Sequence, residues 1–153
     1  MATDKPPSPA FLTRAGEHAQ TLHERFFRNL RLPHLQLDEL RTRLRSYKQV
    51  LWLWLAIDPC TKLLPVLHLG PRTQHMAHLL IHSLRESLAP DCLPLFTSDG
   101  LNLYFYALTA HFGQWLEVGR RGRKMRRWQV AASLIYGQVK KATGGVSWCE
   151  SPT

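Results

Sequence analysis

Two aspartates stand where a carboxylate can do chemistry. Asp38 lies inside the run Leu35-Gln36-Leu37-Asp38-Glu39-Leu40, and Asp99 lies in Thr97-Ser98-Asp99-Gly100. A carboxylate within a strand is costly to bury unless it is paired, left at a wet edge or bound to metal. A residue just past the carboxyl end of a strand sits where open α/β sheets gather ligands. If the two strands are neighbours, Asp38 and Asp99 can share divalent cations. A pair of such cations can activate an attacking oxygen and stabilise a leaving one in phosphoryl transfer. Mg²⁺ favours this sparse, hard-oxygen ligation. Each acid alone has a plainer reading. Asp-Gly after a strand is ordinarily a turn, and an Asp in a half-buried strand ordinarily faces water. Only their joint placement argues for catalysis.

Three other groups carry chemical potential. Six of the eight residues from Arg120 to Arg127 are basic, namely Arg120, Arg121, Arg123, Lys124, Arg126 and Arg127, and Trp128 follows them. Phosphate contact with stacking on a base or sugar is the chemistry such a segment offers, and a solvated basic loop is the bland alternative. His75, His78 and His82 are spaced for one face of a helix. A metal would need a further ligand converging from elsewhere, so they read as a polar outer face. Cys60, Cys92 and Cys149 are scattered and contain no C-x-x-C pair. They suggest neither a zinc knuckle nor a disulfide framework, and a reducing cytosol fits them best.

The elements that must position these residues can be read from periodicity and breakers. Residues 1–9 read as a Pro-rich disordered leader without the apolar core of a signal peptide. Phe11 to Leu30 reads as a basic amphipathic helix, stopped by Pro33. Leu35–Leu44, Val50–Ile57 and Leu63–Leu69 read as three consecutive strands in an antiparallel meander. The second is continuously apolar, as expected of a strand buried on both faces, with Trp52 and Trp54 on a common side as core or sheet-covering residues. Thr73 is a plausible N-cap for a helix running to Leu88, with Met76, Leu80, Leu84 and Leu88 as its apolar stripe and Pro90 beyond it. Leu93–Thr97 reads as a short strand, Leu101–Phe112 as a helix, Gly119–Arg127 as a basic loop and Leu134–Val139 as a last strand. Lys140–Thr153 reads as a frayed tail. A meander followed by β-α-β crossovers gives a mixed sheet with helices on its faces, which is the strand order of the ribonuclease H-like architecture.

Composition agrees with a single α/β domain over residues 10–141, flanked by the leader and by a tail at 142–153. The 153 residues are 44% hydrophobic and 10% aromatic, which excludes a disordered polymer. The net charge of +9 points to a polyanionic partner, because Lys and Arg that neutralise phosphates release condensed counterions. The longest apolar run, Val50–Ile57, is too short to cross a bilayer core of about 30 Å as a helix.

The chain also resembles the DDE-type transposases of bacterial insertion sequences. The resemblance rests on five ordered motifs: Gln36-Leu37-Asp38-Glu39-Leu40; Trp52-Leu53-Trp54-Leu55-Ala56-Ile57-Asp58 with Thr61-Lys62; Gly70-Pro71-Arg72-Thr73; Thr97-Ser98-Asp99-Gly100; and Tyr104. It spans about His18 to Lys141. It implies a ribonuclease H-like catalytic domain that uses Mg²⁺ or Mn²⁺ for DNA cleavage and strand transfer. Asp38 and Asp99 would be its first two catalytic metal ligands, and Asp58 a structural acid holding its turn with Thr61. DNA, as insertion-sequence ends and target, would be the partner, with a homo-oligomer compatible, no membrane, and a bacterial cytoplasmic, nucleoid-associated location. The family carries its third acid on a helix after the strand matched by Tyr136–Lys140. Here Glu150 is the only acid nearby and lacks a helical setting, while Glu117 reads as a surface residue. The resemblance therefore implies an incomplete, C-terminally truncated core, inactive alone. The alternative is a non-catalytic DNA-binding remnant that regulates an intact transposase.

Overall fold

The computed structural model describes residues 8–43, 50–120 and 123–139. Helix α1 (Pro9–Phe26) opens the described chain. It starts earlier than periodicity suggests because Ser8 and Pro9 form a helix start. The Ser8 hydroxyl accepts from the Phe11 amide at 3.3 Å, and Pro9 occupies the first turn, where a missing N–H costs nothing. It ends short of Leu30 because Asn29 turns into the left-handed region at φ 54°, a conformation Asn tolerates. That turn lets Leu30 bridge to Leu88, with the Leu30 amide donating to the Ser87 carbonyl at 2.9 Å. No residue of α1 is buried.

Three strands follow: β1 (His34–Arg43), β2 (Val50–Ile57) and β3 (Val66–Gly70). They pair antiparallel in sequence order, from Gln36 opposite Ile57 to Arg43 opposite Val50, then Trp52 opposite Gly70. The third strand begins later than its apolar run because the turn after Asp58 extends to Leu63, and Pro65 has no N–H to donate. Helix α2 (Gln74–Ser87) then starts as read from Thr73, whose side chain accepts from the Met76 amide. Strand β4 (Leu95–Ser98), helix α3 (Asn102–His111) and strand β7 (Tyr136–Gln138) complete the main unit.

The five-stranded sheet has the order β3-β2-β1-β4-β7, with β4 parallel to β1 and β7 parallel to β4. The fold is thus mixed α/β around a mixed sheet. Leu35, Leu37, Trp54, Ala56, Val66 and Phe96 project from one face into the core. Met76, Ala77, Leu80, Ile81 and Leu84 of α2 meet them there, beside Tyr104, Ala107 and Leu108 of α3. A Cβ on Gly70, at the end of β3, would lie 2.6 Å from the Met76 sulfur, so a larger residue there would displace the tip of that side chain.

Two expectations need correction. Strand β2 is not buried on both faces. Trp54 and Ala56 are fully buried, whereas Leu51, Leu53 and Leu55 are only half-buried. Both packed helices share one face, and on the other face Leu40, Leu67 and Leu69 are at least half exposed. Helix coverage of both faces is therefore not found among the described residues. The second correction concerns Gly119–Arg127, whose described residues lie in strands and not in a loop. Strands β5 (Gly113–Arg120) and β6 (Arg123–Val130) form a separate antiparallel ribbon, with Trp115 opposite Trp128 and Leu116 opposite Arg127. At the base of the ribbon a Cβ on Gly113 would lie 2.5 Å from the Gln129 carbonyl, so glycine is needed for this approach. The Trp128 indole N–H donates to the Thr109 carbonyl at 2.8 Å and ties the ribbon to α3.

Candidate metal centre and basic ribbon

Strand alternation puts Leu35, Leu37 and Glu39 on the core side of β1 and leaves Asp38 half-exposed between them. The parallel pairing of Leu37 with Ser98 brings the carboxyl end of β4 beside Asp38, and Asp99 follows Ser98 directly. One carboxylate oxygen each from Asp38, Glu39 and Asp99 lies within 4.8 Å of the other two. Among the described residues this is the one group of three or more acidic, histidine or cysteine ligands that converges so closely. Strand order therefore unites the two aspartates expected to act together, and it adds Glu39 to them.

Each acid is held by local chemistry. Asp38 Oδ1 accepts from the Glu39 amide at 2.8 Å, which curls its carboxylate back along the strand. Asp99 Oδ1 accepts from the Leu101 amide at 3.2 Å, closing the loop before α3. The buried Ser98 hydroxyl donates to the Asp99 carbonyl at 2.7 Å and meets the Tyr136 hydroxyl at 2.7 Å. The backbone before the loop is thus braced against β7.

Glu39 is different in kind. Its side chain is only 2% exposed, and both of its oxygens are engaged. Oε1 accepts two bonds from Arg72, from Nη2 at 2.6 Å and Nε at 3.1 Å, while Oε2 accepts from the Tyr104 hydroxyl at 2.9 Å. Burial and then the negative charge of Glu39 push the Tyr104 phenol far above the usual tyrosine range, so it stays a donor. Arg72 also stacks over Trp52, 4.9 Å from the ring centroid. A buried carboxylate needs such partners. Glu39 thereby ties the turns that open α2 and α3 to the strand carrying Asp38. The sequence contained the signal, since alternation from Leu35 and Leu37 places an acid inward at position 39.

Asp58 lies outside this group and holds a turn. Its Oδ2 accepts from the Thr61 hydroxyl at 2.6 Å and its Oδ1 from the Cys60 amide at 3.0 Å. Those bonds, the Thr61 hydroxyl first, lower its pKa. The side chain is buried, at 1% exposure.

Of the expected DNA-contacting residues, Arg120 ends β5, and Arg123, Lys124, Arg126 and Arg127 lie in β6. Arg126 and Arg127 are exposed and, being consecutive in a strand, belong to opposite faces of the ribbon. Arg121 and Glu150 lie outside the described residues. His75 is exposed, as expected, but His78 and His82 approach His111 of α3, a neighbour no helical spacing could have revealed.

Neither protein-family models nor curated proteins give a match to this chain.

Proposed function

We propose that the chain is a ribonuclease H-like catalytic core of the DDE transposase type, built for metal-dependent DNA strand cleavage and transfer. The observation that carries this reading is the convergence of Asp38 and Glu39, midway along β1, with Asp99, just past the carboxyl end of the parallel strand β4. A meander of three strands joined to two parallel ones, with α2 and α3 packed on one face, supports the architecture. The donor set fits Mg²⁺ or Mn²⁺, which prefer carboxylate oxygens to nitrogen or sulfur. When bound, such a cation supplies charge neutralisation and a lowered pKa for an attacking water or 3′-hydroxyl. Asp38 and Asp99 are the residues that would hold it. Glu39, clamped by Arg72 and Tyr104, is a positioning residue that keeps Asp38 and the α3 entry loop in register. Arg120, Arg123, Lys124, Arg126 and Arg127 of the ribbon, together with Arg121, would contact DNA phosphates, as the net charge of +9 favours. A bacterial cytoplasmic setting goes with this reading, and none of the described helices is long and apolar enough to cross a membrane.

The full engagement of Glu39 favours a second reading, a DNA-binding remnant that regulates an intact transposase without catalysis. Metal coupling separates the two. Without metal, Asp38 and Asp99 repel a nearby phosphate, and with metal they attract it through the shared cation. At constant ionic strength, Mg²⁺ or the less reactive Ca²⁺ should strengthen DNA binding by the wild-type chain. The Asp38→Asn/Asp99→Asn variant should bind at least as well without metal and gain nothing from its addition. Equal metal response in the two proteins, or none in the wild type, rejects the catalytic-core reading in favour of the remnant.

A further inference from the structure

A second cluster of ligating side chains lies away from the acidic group. His78, His82 and Glu86 follow one another at four-residue intervals along α2, so they line one stripe of that helix. His111, the last residue of α3, faces the same stripe. Its ring centroid is 5.5 Å from that of His78 and 5.6 Å from that of His82. The His78 Nδ1 to His111 Nε2 separation is 3.4 Å. Two nitrogens that share a tetrahedral zinc ion at about 2.0–2.1 Å each stand about 3.3–3.4 Å apart. The spacing of this pair is thus long for a hydrogen bond between rings and right for the edge of a tetrahedron. His82 Nε2 turns instead to Glu86 Oε1 at 3.5 Å, an exposed pair free to swing.

We propose that His78, His82 and His111 form a transition-metal site of the Zn²⁺ type, with Glu86 or water as the fourth ligand. It needs a rotation of the exposed His82 side chain.

Two features support it. The Arg85 Nη1 donates to the His111 carbonyl at 2.7 Å and clamps the end of α3 against α2, so the two helices are already registered. A surface groove lined in part by Arg85, Glu86, His111 and Ser133 gives a path from solvent. The chemistry differs from that of the acidic group, because imidazole selects borderline metals where carboxylates select Mg²⁺. His111 and Asn102, at opposite ends of α3, are separated by about 13 Å of helix rise, so the two centres are distinct. A zinc ion here would staple α2 to α3, the two helices that support the acidic centre, whatever that centre does.

The test is Zn²⁺ titration of the full chain against a chromogenic chelator, with millimolar Mg²⁺ present to occupy the carboxylates. Co²⁺ absorption serves as a probe of coordination. One Zn²⁺ per chain should bind, and Co²⁺ should give the intense visible bands of four-coordinate geometry. His82→Gln and His111→Gln should each weaken binding by on the order of tenfold or more, the loss that even an outer-shell partner's removal can cause. Asp38→Asn/Asp99→Asn should leave it unchanged. His82 is exposed, so its variant folds even if His111→Gln does not. Absence of binding at micromolar Zn²⁺, or binding indifferent to His82→Gln, overturns the proposal. Loss in the aspartate variant alone would assign the zinc to the acidic centre and overturn it equally.

Discussion

Asp58 and Glu39 are both acids with little or no exposure, and each is explained by what it accepts. Asp58 accepts from the Thr61 hydroxyl and the Cys60 amide, bonds that favour its ionised form and lower its pKa. A depressed folded-state pKa contributes stability that is fully present above the unfolded value near 3.8 and lost as pH falls through the lower folded value. Asp58→Asn should therefore flatten the acid limb of a stability-against-pH curve below about pH 4, measured by urea unfolding at successive pH values. An unchanged acid limb would show that the turn does not depend on this charge. The family resemblance implies a structural role for Asp58 with Thr61, and the turn it holds agrees with that. Glu39 was half legible, because β1 alternation turns it inward but its partners Arg72 and Tyr104 lie thirty or more positions away in sequence. His111 was not legible at all as a neighbour of His78 and His82, since helical spacing describes one helix and not the packing of two.

At the scale of elements, the cap of α2 and the bounds of β2 are legible in the sequence, whereas α1 starts at Pro9 and ends at Phe26, well before Pro33. Thr73 starts α2 as expected, and β2 spans Val50–Ile57 as expected. The basic segment was misread because charge density masks strand alternation. In a two-stranded ribbon neither face needs to be apolar, so Trp115, Val118 and Met125 remain exposed beside Arg126 and Arg127 and no period of two emerges. The correction matters for function. A loop presents its charges in a cluster, whereas a ribbon presents Arg126 and Arg127 on opposite faces, and a two-stranded β-ribbon is narrow enough to enter a DNA major groove. Replacing Arg120, Arg121, Arg123, Arg126 and Arg127 with Gln should weaken DNA binding. It should also lower the dependence of log K on log salt by about one unit for each phosphate contact removed. Substituting Arg126 or Arg127 alone should remove part of that slope if both faces of the ribbon meet phosphates. Fluorescence anisotropy across a salt series measures both, and an unchanged slope in the fivefold variant would exclude the ribbon as the DNA-contacting element.

For the whole molecule, connection length made the strand order readable. Tight links between β1, β2 and β3 require antiparallel neighbours, and the helices before β4 and β7 permit parallel ones. That order brings Asp38 and Asp99 together across a long sequence separation, which is why a pair of unremarkable acids could be selected from the chain. Burial was less readable, because the apolar character of β2 on both faces does not reveal that α2 and α3 share a single side. The same arrangement sets an expectation for chemistry. Two exposed or half-exposed aspartates can hold a cation, but among the described residues the third carboxylate of the group, Glu39, has both oxygens committed to Arg72 and Tyr104. A second cation would then lack a protein ligand to fix it, and in-line attack tolerates misplacement of only about 1 Å. The chain on its own should bind DNA and Mn²⁺ yet nick supercoiled plasmid at or near background. Any residual nicking should vanish in Asp99→Ala and survive in Glu150→Ala. Robust nicking lost on Asp99→Ala would instead mean that Glu39 releases an oxygen to the metal, and Tyr104→Phe, which frees Oε2, should then change the rate. Parallel loss on Glu150→Ala would assign the third ligand to Glu150.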